Sequence, residues 1–332
     1  PPMQTGIPFD DIRALAAQLP EGDDALAAQL GHAFSSRRSW TGDLGRLEQL
    51  AVWLARWTGR PPVLRKPLIA IFAGTHGIAL REWSGDPVAE IGRAVELWAS
   101  GGSPVNELCA LHDLGLQAFD LALDLPTQDF SVADALDERA CTATMAFGME
   151  AVAGGVDLLC LTDPGIGSDV SIAALLAAML GGSGRDWLDP ASGGDATLAR
   201  RSELADVALA FHSRRLSDPL EALRCVGGRE TAAIAGAILA ARLERVPVLL
   251  DGGVALAAAA VLKRLNPRAL DHCLMAQLPA ASHLRAAAAR LEIGCVIEAP
   301  LAPAPAVALA IAASVMRSAA ALAPRMTASR PN

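Results

Sequence analysis

From Pro67 onward the chain repeats one pattern: a short apolar run ends at Gly, Asp or Asn, and an alanine-rich stretch with helical spacing follows. That alternation is the mark of βα units and a parallel sheet. It predicts strands at 68–73, 117–122, 157–162, 247–250, 273–277 and 295–298, with helices at 87–99, 105–111, 141–153, 169–180, 198–216, 229–243 and 254–265. The strand runs are apolar throughout rather than alternating, so helices are expected to cover both faces of the sheet. A chain of 332 residues that is 52% hydrophobic and 19% charged has the material for such a core. The expected fold class is α/β, a parallel Rossmann-like sheet covered by helices.

The two chain ends read differently. Helical patterns at 9–19, 24–33 and 44–57 contain no convincing strand, and a last helix at 307–322 is expected to join them. The division predicted is a small helical domain from both ends (7–60 and about 307–330) around a large α/β domain at 61–306. The uncharged segment 299–316 is long enough to enter a bilayer. Its alanine content and the prolines Pro300, Pro303 and Pro305 favour a buried globular helix, with no membrane contact.

Charge and cysteine usage exclude other classes. The net charge of -8 comes without a basic run interleaved with aromatics, which argues against nucleic acid. Six dispersed cysteines lack zinc-site spacing and read as core residues of a reducing cytoplasm. Residues 1–5 show no secretory signal. His212, His272 and His283 have no ligand partner nearby in sequence and are expected to be surface or cap residues, with no metal. There is no G-x-S-x-G elbow, and the first strand turn lacks a dinucleotide fingerprint.

The strongest local motif is Asp163-Pro164-Gly165-Ile166-Gly167-Ser168-Asp169, between a strand and a helix. Glycines there let the backbone approach a ligand, and N–H groups at a helix start favour phosphate. A tight turn with no ligand would need similar glycines. The Asp169 carboxylate, as a helix cap, would occupy the donors that an anion needs. Further polar groups stand where open parallel sheets bind ligands, at strand carboxyl ends: Thr75-His76-Gly77, Asp120, Asp124, and Asp251-Gly252-Gly253. His76 serves either substrate or its own loop, and Asp251 either substrate or a helix cap. Gly193 and Gly194, closing the glycine-rich loop 181–195, complete the candidate substrate contacts.

Read in order, these segments resemble the nicotinate-nucleotide:dimethylbenzimidazole phosphoribosyltransferases of cobalamin synthesis. The matching stretches are Gly45-Arg46-Leu47-Glu48, Ile71-Phe72-Ala73-Gly74-Thr75-His76-Gly77, Gly101-Gly102 with Asn106, Thr144-Met145-Ala146-Phe147-Gly148-Met149-Glu150, Gly165-Ile166-Gly167, Val226-Gly227-Gly228-Arg229-Glu230, Ala235-Gly236-Ala237-Ile238-Leu239, Pro247-Val248-Leu249-Leu250-Asp251-Gly252 and Asp271-His272-Cys273. The resemblance runs from about Phe9 to Leu322. It implies a homodimer that moves phosphoribose from nicotinate mononucleotide to 5,6-dimethylbenzimidazole, giving α-ribazole phosphate and nicotinate. It also implies a glutamate as general base, a phosphate held by backbone amides, and no cofactor.

The chain departs from the family where that chemistry is expected. The family's Leu-Gly-Glu-Gly-Thr-Gly-Ala stretch corresponds to Leu301-Ala302-Pro303-Ala304-Pro305-Ala306-Val307, so Pro303 stands in place of the base. Asp163 replaces a glutamate, Ser168 and Asp169 replace Asn and Thr, and Arg93 aligns with a glutamine near the acceptor. Glu298, then Asp163, are the substitute bases the sequence offers. The alternative is an inactive paralogue that serves as a ligand-binding or partner subunit of an active homologue.

Overall fold

The computed structural model describes residues 8–82, 85–191 and 193–327, so residues 1–5, read above for a signal, lie outside it. Three helices come first: α1 (Pro8–Ala17), α2 (Asp24–Thr41) and α3 (Arg46–Thr58). Strand β1 (Pro67–Ala73) follows, and α4 (Pro87–Ala99) and α5 (Pro104–His112) lead to β2 (Gly115–Asp120). Helix α6 (Glu138–Met149) connects to β3 (Leu158–Thr162), and α7 (Asp169–Leu180), α8 (Gly194–His212), α9 (Pro219–Val226) and α10 (Arg229–Leu243) precede β4 (Val248–Leu250). Then come α11 (Gly253–Leu265), β5 (Cys273–Gln277), α12 (Ser282–Arg290), β6 (Cys295–Ile297) and α13 (Val307–Thr327).

The six strands pair in parallel in the order β2-β1-β3-β4-β5-β6. Successive side chains of a strand point to opposite faces. Ala70, Phe72, Leu159, Leu161, Val248, Leu250 and Met275 therefore enter one core, and Ile69, Ile71, Leu158, Cys160, Leu249, Leu274 and Ala276 the other. Both faces are apolar because both are covered. Helices α6, α7, α9, α10 and α11 fill the first side, while α2, α3, α5 and α13 fill the second.

The chain ends meet as the helices α2, α3 and α13, which pack on one another. Their apolar residues share a core with the second sheet face, and α13 lies along β3, β4, β5 and β6. Helix α1 goes to the opposite side, where Phe9, Ile12 and Ala16 are buried against the α6 layer. The uncharged segment read as a buried helix divides into a proline-bearing loop and α13. Among the described residues no helix is long and apolar enough to cross a membrane.

Several elements differ from the sequence reading for local reasons. Helix α8 begins at Gly194 because Gly193, at φ 83°, turns the chain just before it. Helix α9 is short, but Asp218 caps it through the Leu220 and Glu221 N–H groups and Pro219 starts it. Helices α6 and α10 cross so closely that a Cβ on Gly148 would stand 1.9 Å from the Ala233 carbonyl oxygen. A Cβ on Gly236 would stand 2.0 Å from that of Met145.

The histidines correct the surface assignment. His212 and His272 are 1% exposed. His212 pairs through Nε2 with the Phe130 carbonyl at 2.8 Å and lies 3.4 Å from Asp134. Asp134, His212 and Cys225 converge closely enough for a metal. Two guanidinium groups, Arg215 and Arg224, already neutralise Asp134, so the cluster does not fit a cation. Burial keeps the Cys225 thiol protonated, pushing it up to about 12.

Candidate active site at the carboxyl end of the sheet

A cavity of about 430 Å³ opens over the carboxyl ends of β3, β4 and β5 and is walled on one side by the proline-bearing loop before α13. Each apolar strand releases its first polar side chain there. Thr162 and Asp163 end β3, Asp251 follows β4, and Gln277 ends β5. The position is the one an open parallel sheet provides for a ligand.

Asp163 is 5% exposed, and its Oδ2 accepts the Gly165 N–H at 2.8 Å. Burial pushes its carboxyl up to about 7, against the pull of that hydrogen bond. Gly165 and Gly167 make the turn at φ 71° and 73°, a region costly for residues with a Cβ. Gly252 approaches Asp163, since a Cβ there would stand 3.4 Å from Asp163 Oδ1, and Asp251 lines the same cavity. Burial pushes the Asp251 carboxyl up to about 6, against hydrogen bonds from Gln277 and the Gly252 N–H.

Gln277 ties the wall together. Its Oε1 accepts the N–H groups of Leu301 at 2.7 Å and Ala302 at 3.1 Å. Its Nε2 donates to the Ala302 carbonyl at 2.8 Å and to Asp251 Oδ1 at 3.3 Å. The loop's prolines lack N–H groups, so this one side chain supplies bonds that a backbone ladder would otherwise make.

Two helices start at the cavity without a side-chain cap, α7 behind Ser168 and α11 behind Gly252. The expectation that Asp169 would cap α7 is corrected. Its carboxylate turns to Arg201 at 2.7 Å, and Arg201 also binds the buried Glu82. The opposite charge on α8 holds Asp169 away from the N–H groups of its own helix.

Of the residues singled out in the sequence, Asp163, Gly165, Ser168, Asp251 and Gly252 line the cavity, as does Pro303. Ile166 and Gly167 belong to the same turn but face elsewhere: Ile166 packs beside Ala73, Ile91 and Leu123, and Gly167 approaches Ala79. His76 is not on the wall. It is buried and pairs with Glu230 at 2.8 Å, in space left by the absent side chains of Gly74 and Gly228. Burial opposes protonation of His76, and the Glu230 charge and hydrogen bond outweigh it, so its pKa is raised. Arg93 is exposed on α4, and Gly193 and Gly194 are exposed at the start of α8. Glu298 is exposed just past β6 and is also absent from the wall, because the chain turns outward before the loop returns with Pro303. Of the two candidate bases, Glu298 and Asp163, Asp163 is the one that lines the cavity.

Gln277, Trp187 and Asp189 line the cavity without having been singled out, and His283, read as a surface or cap residue, is half-buried in the same wall. Gln277 carried a readable signal, a polar residue closing an apolar strand, the same signal that marked Asp163. The others reach the wall from a loop and from α12, where no periodicity points inward.

The fold and cavity define an α/β protein with an open, all-parallel sheet and an acidic ligand cavity at its carboxyl edge. The chain matches the family model described as "Phosphoribosyltransferase" over residues 19–330. It is similar to the nicotinate-nucleotide–dimethylbenzimidazole phosphoribosyltransferase of Rhizobium etli (strain CIAT 652), 52% identical over 284 residues, 85% of this chain and 84% of that protein. The protein of that name from Sinorhizobium medicae (strain WSM419) is 49% identical over 284 residues, again 85% and 84% of the two chains. The crystal structure of CobT from Thermus thermophilus superposes with a TM-score of 0.77 at 25% identity, covering 89% of this chain and 96% of that one. The chain belongs to this phosphoribosyltransferase family.

Proposed function

We propose that the chain transfers a ribosyl-bearing group from the ring nitrogen of a pyridinium donor to a benzimidazole-type acceptor in this cavity, with Asp163 as proton acceptor. Nicotinate mononucleotide and 5,6-dimethylbenzimidazole are the reference substrates, as in the names of its relatives. The unprotonated acceptor nitrogen attacks the anomeric carbon, and the bond to the pyridinium breaks with its electron pair going to the departing ring. The acceptor's other nitrogen then gives its proton to Asp163. Asp251 lines the same cavity and offers negative charge to the positive character that develops at the anomeric carbon. The reaction needs neither metal nor organic cofactor.

The observation that carries this reading is Asp163, a carboxylate of raised pKa in the cavity wall near Pro303. A base that titrates near neutral pH suits removal of a weakly acidic azole proton. Incubation with a panel of N-ribosylpyridinium donors, headed by nicotinate mononucleotide, and a panel of benzimidazoles tests it. Release of free pyridine with formation of a ribosylated azole is expected, and Asp163→Asn should slow it by roughly 10²- to 10⁴-fold. No release from any donor with any acceptor would end the proposal.

Pro303 favours a second reading, in which the chain is a non-catalytic subunit that binds ligand or pairs with an active homologue. A rise in that homologue's rate on mixing supports it, and robust turnover by this chain alone removes it. The first reading places the protein in the cytoplasm as a homodimer. Sedimentation of the purified chain reads the oligomer directly.

A further inference from the structure

Side-chain nitrogen is scarce in the cavity wall: among the described residues Trp187, Gln277 and His283 carry all of it. Trp187 Nε1 is committed to the Gly181 carbonyl at 2.9 Å, and Gln277 Nε2 to Ala302 and Asp251. His283 stands on the first turn of α12 with its Nδ1 sealed from solvent and without a partner, while Nε2 is not sealed. Hydrogen bonding therefore assigns the proton of the neutral ring to Nε2, since an N–H at Nδ1 would be buried and unpaired. A second proton would create that same unpaired N–H. Burial already holds the ring below the usual histidine pKa, against the pull of Asp189 and Asp169. His283 thus offers the cavity one neutral N–H donor.

The reference donor carries two anionic groups, and the cavity meets them with different means. Its phosphate is served by the uncapped starts of α7 and α11, whose backbone N–H groups and positive helix ends border the cavity. The ring carboxylate is a separate problem, because its electrostatic surroundings change during the reaction. While the pyridine nitrogen is bonded to ribose, the ring is a cation that partly balances the carboxylate. When the C–N bond breaks, its electron pair passes to the ring nitrogen and that positive charge is lost. Nicotinate is then a net anion among Asp163, Asp169, Asp189 and Asp251. A hydrogen-bond donor on the carboxylate strengthens at that moment, and an interaction stronger in the transition state than in the ground state speeds the step.

We infer that His283 binds the carboxylate of the departing pyridine, donating its Nε2–H to it, and so sets a preference for nicotinate over nicotinamide as leaving group. The inference rests on the ribosyl-transfer reading and deepens it. No proton changes hands in this contact, and the electron pair of the broken bond stays on the ring nitrogen. Nicotinamide leaves as a neutral ring, so its amide gains nothing comparable. Because the imidazole is itself neutral, it is not drawn into an ion pair with Asp169 or Asp189 and its donor stays available to the ligand.

Binding and turnover by the intact chain at pH 8, where the ring is neutral, test it. Nicotinate is expected to bind at least about tenfold more tightly than nicotinamide, and His283→Ala should bring the two within about twofold. His283→Gln keeps an N–H donor and should retain a preference of at least about threefold. With nicotinate mononucleotide as donor, His283→Ala should lower kcat by about tenfold with little change in KM. Nicotinate riboside separates the two anionic groups: its affinity relative to the mononucleotide should be the same in the parent and in His283→Ala, because the phosphate is held elsewhere. A nicotinate-to-nicotinamide ratio that His283→Ala leaves unchanged overturns the inference. So does an equal loss for both rings, which marks a structural role, or a loss that follows the phosphate. In each of those cases, transfer by the parent chain leaves the ribosyl-transfer reading standing. If the parent chain transfers from no donor, ribosyl transfer falls, and the inference with it.

Discussion

Replacing Asp163 by asparagine should make the protein more stable at alkaline pH while removing its transfer activity. The carboxyl titrates near 3.8 in an unfolded chain and at about 7 in the folded one, chiefly because burial disfavours its charged form. The unfolded chain therefore loses its proton first. The stability tied to this group is complete below about pH 4 and is lost as pH rises through 7, by on the order of 4 kcal/mol. Asparagine cannot ionise, and its amide oxygen still accepts the Gly165 N–H, so the variant escapes that loss. Water admitted by the cavity offsets part of the gain, and we expect about 2–4 kcal/mol at pH 8 and no more than about 1 kcal/mol at pH 4.5. That is a large share of the roughly 5–15 kcal/mol typical of a folded domain. Urea unfolding of the parent and the Asp163→Asn variant at the two pH values measures it. The difference between the variants isolates this group, because the other titrating residues are common to both. A stability difference that is the same at both pH values, or a variant less stable at pH 8, would refute the assignment of a strained, buried acid.

Three further outcomes follow from the geometry. Gln277→Met keeps the side chain's length but deletes its bonds to Leu301, Ala302 and Asp251. At about 1 kcal/mol for each lost bond, hydrogen exchange of the Leu301 and Ala302 amides should quicken by roughly 10- to 100-fold, with β3 and β4 unchanged; equal protection in both proteins contradicts the clamp. Gly148→Ala pushes a methyl into the Ala233 carbonyl and should destabilise the chain by about 3 kcal/mol in denaturant titration, despite alanine's better helix propensity. Pro303→Glu places a carboxylate in the cavity wall, and in an Asp163→Asn background it should restore at least tenfold in transfer rate; no recovery there argues that position 303 does not reach the acceptor.

The strands were legible because burial on both faces leaves nothing but apolar residues between polar ends, and one-dimensional pattern is enough to see that. Strand β5 and helices α4, α7 and α10 have the bounds the pattern predicts. The acids Asp163 and Asp251 were legible by the same logic, as the first polar groups released at strand carboxyl ends. What pattern could not carry was direction. His76 has the sequence context of a ligand-facing histidine, but Glu230, 154 positions away, draws it into the interior. Asp169 has the context of a helix cap, but Arg201 turns it aside.

The sequence by itself determined the parallel α/β sheet and the family, because each depends on which residues occur and in what order. The tertiary structure decided which acid remains in the cavity. Glu298 and Asp163 both follow strands, yet one ends exposed and the other is buried in the cavity wall. It also decided the sign of the cavity wall, since four aspartates spread over nearly ninety positions meet there without an opposing lysine or arginine among its described residues. Charge at a site is set by what converges in space, and convergence is fixed only when the chain has packed.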